Sequence, residues 1–156
     1  MPLKIVFVGN SFCGDDGIAP NIYKKLKDHP DLNNMELIDI GTNSFDLISH
    51  IDSNDQLVIV DALHSIDKKD NIGKVTLLNE SELSQNQSLV SPHDFGIEQT
   101  LSILRASEPD LKTVKIIGIN IGTADSFSNT LSPSLREKLP KITVEVIKHL
   151  TQISGK

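Results

Sequence analysis

Short apolar runs alternate along this chain with longer segments in which apolar residues recur every three or four positions. Strand-like runs cover residues 4–8, 36–40, 57–60, 74–78 and 113–121. Between the first two runs, Ile18, Ile22 and Leu26 have helical spacing. Such alternation is typical of a parallel sheet covered by helices. We therefore predict an α/β fold: a single open, mostly parallel, twisted sheet of about five strands with helices on both faces.

Three further helices are predicted from the same spacing. The first begins at Asn43 or Ser44, whose side chains can cap it, and the last begins at Ser132 and Pro133, a typical N-cap and first-turn pair. Pro140 is expected to kink or split that last helix. The apolar residues of the three helices are, in order, Phe45, Leu47, Ile48 and Ile51; Ile97, Leu101 and Leu104; and Leu135, Leu139, Ile142, Val146, Ile147 and Leu150.

The middle of the chain departs from strict alternation. Gly73 marks a turn before the run at 74–78, which we expect to be an additional strand, antiparallel at an edge of the sheet. Residues 79–91 are rich in Ser, Asn, Gln and Glu and are expected to form an irregular surface connection.

The loop at 9–17, GNSFCGDDG, has the glycine spacing of a phosphate-binding loop but the opposite charge. A P-loop places Lys and then Ser or Thr after its second glycine, whereas this chain has Asp15 and Asp16 there. Adjacent carboxylates repel a polyphosphate and suit a metal ion or a partner rich in hydrogen-bond donors. We therefore expect no nucleotide and favour cation binding. An alternative is that both acids simply precede a helix whose dipole favours them.

Candidate metal ligands follow the predicted strands at their carboxyl ends, where open parallel sheets bind ligands. Asp16 lies in the loop after the first strand, Asp61 ends the run at 57–60, and His93 precedes a helix. Two carboxylates and one imidazole make an incomplete shell for nickel or zinc, with room for water or a partner's group. Each residue alone also has a structural interpretation, Asp61 as a cap and His93 as a loop histidine.

Composition narrows the class of protein. A chain of 156 residues is expected to form one domain over 1–156. A net charge of −6 argues against nucleic acid or an anionic membrane as partner. The apolar runs are too short to cross a bilayer. The first residues lead directly into a strand-like run without the apolar core of a signal peptide, so we expect no such peptide. A single cysteine excludes an internal disulfide, which is consistent with the reducing conditions of the cytoplasm. We expect a cytoplasmic protein that is a monomer.

Several sequence blocks, in this order and spacing, resemble the hydrogenase maturation proteases. The resemblance extends over roughly residues 5–122, and the first block is most similar to the subgroup that serves hydrogenase 3 and coenzyme F420-reducing hydrogenases. The blocks are VGN at 8–10 with GDDG at 14–17, DIGT at 39–42, VIVDA at 58–62, SPHD at 91–94 and IGI at 117–119.

The resemblance implies an endopeptidase that removes the C-terminal extension of a nickel-iron hydrogenase large-subunit precursor. It implies that Asp16, Asp61 and His93 are the catalytic and metal-contacting residues, and that the nickel is supplied by the substrate, where it serves as a recognition element. Three further residues are implied to line the substrate groove: Asp39, Gly41 and Thr42.

Two other functional classes fit parts of the pattern. A non-catalytic module that binds metal or a hydrogenase subunit would use the same three ligands without cutting. A receiver-like signalling domain also has an acid pair after its first strand, but it needs a lysine at the end of its last strand. Here Lys115 begins that strand and Asn120 is near its end, which disfavours the signalling interpretation.

Overall fold

The computed structural model describes residues 3–65, 71–85, 89–90, 97–121 and 128–155. Over these residues the strands are β1 Leu3–Val8, β2 Met35–Gly41, β3 Gln56–Ser65, β4 Val75–Asn79, β5 Leu89–Val90 and β6 Val114–Ile121. The α-helices are α1 Ile18–Leu26, α2 Glu80–Gln85, α3 Ile97–Ser107 and α4 Pro133–Ile153. Short 3₁₀ helices cover Gly14–Gly17, Pro30–Leu32 and Ser44–Ser49.

The strands form one sheet in the order β2-β1-β3-β6-β4. β1 pairs in parallel with β2 and with β3, and β3 pairs in parallel with β6. β4 lies antiparallel to β6 at one edge, and the short β5 pairs antiparallel with the end of β3. The predicted open, mostly parallel sheet and its antiparallel edge strand are therefore confirmed.

Alternate residues of the central strands supply two apolar cores, one on each face of the sheet. In β1, Ile5 and Phe7 join the core that contains α1 and α4, whereas Val6 and Val8 join the core that contains α3. This alternation follows from the two-residue period of a strand. A sheet covered on both faces explains why its central strands are almost wholly apolar. Within the described ranges, none of the helices has the length and apolar character required to span a bilayer.

β3 continues past the position where the sequence predicts its end. Asp61 was expected to terminate this strand, but β3 extends to Ser65, because Ala62 to His64 pair with the end of β6 and His64 also pairs with Val90. The prediction of an irregular connection over 79–91 is also wrong, since it contains α2 and β5. Glu82 stabilises the beginning of α2, because its carboxylate accepts hydrogen bonds from the backbone and side-chain nitrogens of Asn79, at 3.2 and 2.9 Å.

Two helix predictions need correction. The segment capped by Asn43 is a 3₁₀ helix rather than an α-helix, and Phe45 is exposed instead of joining the core. α4 is continuous through Pro140, so the expected split does not occur. Pro140 is exposed, while Leu135 on one side of it and Ile142 on the other are buried in the same core. Packing on both sides holds the helix together despite the missing N–H group.

Candidate functional site

The loop after β1 is folded tightly against the carboxyl end of the sheet. Gly9 begins it with φ +158°, and a Cβ atom at this position would lie 2.3 Å from the backbone oxygen of Asp16. The Gly9 N–H donates to the carbonyl of Gly41 at the end of β2, at 2.9 Å. A side chain at residue 9 would therefore force the loop away from the sheet. Glycine is required here because the returning chain passes so close.

Asp16 lies in the 3₁₀ helix Gly14–Gly17 and is 1% exposed. Its Oδ2 accepts a hydrogen bond from the backbone N–H of Asn10 at 3.0 Å. The side chain of Asn10 in turn accepts from the N–H of Phe12 at 2.9 Å, which makes an Asx turn. These two bonds fix the loop around the Asp16 carboxylate. The sequence analysis did not assign this role to Asn10, although an Asn at the start of a loop is a recognisable signal for an Asx turn.

Asp61 lies within β3 and is 0% exposed. Its Oδ1 accepts from the N–H of the next residue, Ala62, at 2.8 Å. In the sheet register Asp61 pairs with Val8 of β1 on one side and with Gly118 of β6 on the other. It shares its strand face with Ile59 and Leu63, both of which belong to the α3-side core. A carboxylate on this apolar face is unusual and suggests a functional role.

The fold brings the Asp16 loop and Asp61 to the same carboxyl edge. Val8, the register partner of Asp61, is followed directly by Gly9, against which the Asp16 backbone packs. The 3₁₀ helix that carries Asp16 also contacts β3. His93, the third predicted ligand, lies outside the described residues. Within the described part of the chain, no three His, Cys, Asp or Glu side chains are grouped closely enough to hold a metal ion.

Asp15 does not share the site of its neighbour. Both of its carboxylate oxygens accept hydrogen bonds from Ser132, the residue that caps α4. Asp15, which is not among the predicted metal ligands, therefore holds the start of α4.

The predicted groove residues lie at the end of β2, beside the same edge. Asp39 is exposed, and its Oδ1 accepts from the N–H of Gly41 at 3.1 Å. Gly41 has φ +59° and pairs with Val8. Thr42 follows and is exposed. Gly41 thus contacts the loop that holds Asp16 through Gly9, and the neighbouring Asp39 and Thr42 are exposed to a ligand.

Comparison with known families decides the class of protein to which this site belongs. The family model described as "HycI: Hydrogenase maturation protease" matches residues 20–149, which is most of the chain. The chain belongs to the hydrogenase maturation protease family.

Individual members of the family agree with this assignment over nearly the whole chain. The chain is 27% identical over 150 residues to the hydrogenase 2 maturation protease of Escherichia coli (strain K12), covering 89% of each sequence. The structure of the hydrogenase maturating endopeptidase HybD from E. coli superimposes with a TM-score of 0.73 at 26% identity, covering 99% of this chain and 94% of that one. The fold is also that of HybD from Thermococcus kodakarensis, with a TM-score of 0.77 at 24% identity, covering 96% and 99%.

Family membership rules out one of the alternative functions but does not identify the subgroup. It excludes the receiver-like signalling interpretation. The family model matches residues 20–149, which contain the central strands β3 and β6. The matched description carries the name HycI, whereas the curated relative serves hydrogenase 2. The narrower resemblance to the hydrogenase 3 and F420-reducing subgroup therefore stays a prediction.

Proposed function

We propose that this maturation protease removes the C-terminal extension of a nickel-iron hydrogenase large-subunit precursor after nickel insertion, and that the nickel carried by the precursor is the recognition element. One observation carries the proposal: two buried carboxylates, Asp16 and Asp61, are placed at the carboxyl edge of the sheet. The family supports a protease, and the E. coli relative is named for the maturation of hydrogenase 2.

In this proposal the protease supplies part of a coordination shell. Asp16 and Asp61 each have one oxygen oriented by a backbone N–H, which reduces the rotational freedom lost when a cation binds. His93 supplies an imidazole nitrogen. Two oxygens and one nitrogen suit a borderline divalent cation such as nickel and leave positions for the precursor's own ligands. A precursor without nickel would then bind weakly and remain uncut.

Peptide hydrolysis also requires a group that handles protons. In the proposed reaction, water attacks the scissile carbonyl while Asp16 or Asp61 accepts a proton from it. The C–N bond then breaks, and the proton passes to the leaving amine, so the carboxylate is restored. Asp39, Gly41 and Thr42 line the approach of the peptide in this proposal. The protease acts as a cytoplasmic monomer that meets its substrate transiently.

The experiment uses purified precursor in nickel-loaded and nickel-free forms, with intact mass measured before and after incubation. We expect loss of a C-terminal peptide from the loaded form alone. Asp16→Asn, Asp61→Asn and His93→Gln should each reduce cleavage at least a hundredfold. Asp28→Asn is the matched control, because Asp28 is exposed after the end of α1, away from the carboxyl edge.

The possible outcomes separate the components of the proposal. Equal cleavage of both precursor forms would show that nickel is not the recognition element. Stable association without any change in mass would show that the protein is a binding module rather than a protease. Full activity in the Asp16→Asn and Asp61→Asn variants would show that the proposed site is wrong.

A further inference from the structure

Two adjoining grooves follow the first half of α4. The first has a volume of about 440 Å³ and is lined by Gly14, Asp15 and the start of α4 up to Arg136. The second has a volume of about 320 Å³ and lies between the start of β4 and the next turns of α4. Ile72 lines both grooves, so they adjoin at this residue. We refer to the two together as the α4 groove.

The α4 groove begins at the carboxyl edge of the sheet, where the candidate site also lies. The N–H of Gly73 donates to the carbonyl of Asn120, near the end of β6, at 2.7 Å. Gly14 and Asp15, which line the first part of the groove, belong to the same 3₁₀ helix as Asp16. A chain lying in the groove would therefore reach the loop that carries the candidate catalytic carboxylate.

The charge of the α4 groove is opposite to that of the protein as a whole. Three lysines, Lys74, Lys138 and Lys141, line the second part together with one half-buried acid, Glu145. Arg136 lines the first part. The buried carboxylate of Asp15 is already bonded to Ser132 through both oxygens, at 2.7 and 2.9 Å. The chain has a net charge of −6, so this concentration of cations is local.

Backbone contacts hold one of these cations in place. The Lys138 ammonium donates to the carbonyl of Ile72 at 2.8 Å. Its aliphatic stem runs over Gly73, where a Cβ would lie 2.9 Å from Lys138 Cδ. Gly73 has φ +90° and no side chain, which leaves room for the stem. The ammonium keeps two further N–H groups for a ligand, because a lysine has three donors.

The placement of the cations indicates an extended ligand. Arg136 lines the first part of the groove, and Lys138 and Lys141 line the second part. A ligand that contacts all three must therefore lie along both parts, as an extended peptide with more than one acidic residue would.

We propose that the α4 groove binds an acidic, extended segment of the polypeptide substrate next to the cleavage site. This inference rests on the proposed function and adds a specificity determinant to it. Positive charge in the groove attracts the acidic segment and orients the scissile bond toward Asp16. The contribution is to binding, so it should act on KM and depend on ionic strength.

The test measures steady-state cleavage of nickel-loaded precursor by wild type and by the Lys138→Glu/Lys141→Glu variant, at low and at high salt. We expect KM to rise about tenfold in the variant at low salt with kcat within about twofold of wild type, and the difference to shrink at high salt. Lys112→Glu/Lys148→Glu is the matched control. It makes the same change of net charge at exposed positions that do not line the groove.

Lys138 also bonds to Ile72, so its substitution could disturb the fold. Lys141→Glu alone, together with thermal unfolding of each variant, separates binding from folding: a smaller rise in KM at unchanged Tm is expected. Equal KM in the groove and control variants, or a kcat effect alone, would overturn the inference while leaving the proposed function intact.

Binding of fluorescently labelled precursor, measured by anisotropy, keeps the two hypotheses separate. If wild type cleaves nothing, the proposed function fails, and the groove is judged on binding alone. Weaker binding by Lys138→Glu/Lys141→Glu than by the control would still support an acidic polypeptide ligand, and equal binding would reject it. Tighter binding of a single-stranded oligonucleotide than of the precursor would also reject it in favour of nucleic acid.

Discussion

Asp15 is hydrogen-bonded through both carboxylate oxygens to Ser132, 117 residues further along the chain: Oδ1 accepts from the Ser132 N–H at 2.7 Å, and Oδ2 from its hydroxyl at 2.9 Å. The same hydroxyl caps α4 by accepting from the N–H of Leu135. One carboxylate therefore joins the loop after β1 to the beginning of the last helix. Asp16, the next residue, belongs to the candidate site instead, where its carboxylate accepts from the N–H of Asn10.

We predict that Asp15→Ala lowers the free energy of unfolding by about 2–3 kcal/mol, because it leaves two donors of Ser132 without their charged acceptor. Ser132→Ala should cost about 1 kcal/mol or more, since it also removes the cap of α4. Chemical denaturation of both single variants and the double variant measures the coupling. Additive effects would contradict a direct interaction, for which a coupling of about 1–3 kcal/mol is expected.

Gly9→Ala should disturb the Asp16 loop more than an ordinary glycine substitution does. The added Cβ would lie 2.3 Å from the Asp16 backbone oxygen, so the loop must move. We expect a loss of about 2–3 kcal/mol of stability, measured by denaturant unfolding, and loss of cleavage even where the protein remains folded.

Gly155→Ala is the control for this variant. Gly155 also has positive φ, at +80°, but no atom lies within 4 Å of its added Cβ. Its cost should be about 1 kcal/mol, with full activity. Equal effects of the two substitutions would show that backbone conformation, rather than contact with Asp16, explains the requirement for glycine at residue 9.

Because two central strands pack closely, a substitution on one strand should partly compensate for a substitution on the other. A Cβ on Gly118 of β6 would lie 2.2 Å from Cδ1 of Leu63 on β3. Gly118→Ala should therefore destabilise by about 1–3 kcal/mol and Leu63→Ala by about 2–5 kcal/mol. Because the truncated Leu63 makes room for the new methyl group, the double variant should lose less than the sum. Thermal and denaturant unfolding of all three variants measure this, and simple additivity would contradict the packing.

The ion pair between Lys4 and Asp55 should make stability depend on pH in the alkaline range. Their charged atoms are 2.9 Å apart, and the side chains are 14% and 5% exposed. The hydrogen bond to Asp55 is the largest cause that raises the pKa of Lys4 above its ordinary value of 10.5. Charge attraction from Asp55, Glu36 and Asp52 adds to the rise, while burial opposes it.

A raised pKa means that the folded protein holds the Lys4 proton more tightly than the unfolded chain does. The stabilisation is therefore complete below about pH 10.5 and is lost as pH rises through the higher pKa of the folded state. Lys4→Met should cost about 2–3 kcal/mol near neutral pH, and this difference from wild type should decrease above pH 10.5. Lys25→Met, at an exposed position on α1, should show no such trend. A difference that stays constant with pH would contradict the assignment.

Much of the fold could be predicted because local patterns and tertiary packing agree. α1 covers Ile18–Leu26, the residues whose apolar spacing predicts a helix, since Ile18, Ile22 and Leu26 are the positions that the core buries. The predictions that failed depend on distant partners. Nothing within residues 57–65 alone shows that β3 continues past Asp61, because the strand is extended by pairing with β6 and β5.

The sequence by itself determined the α/β class, the edge of the sheet at which the candidate residues lie, and the residue types available there, because these follow from periodicity and from the direction of parallel strands. Only the tertiary structure decided how two adjacent aspartates divide their roles. Asp15 and Asp16 are indistinguishable along the chain, yet one bonds to Ser132 and the other to Asn10. Hydrogen-bond partners are assigned by distances in space, and Ser132 comes within reach of Asp15 only after α4 has packed against the sheet.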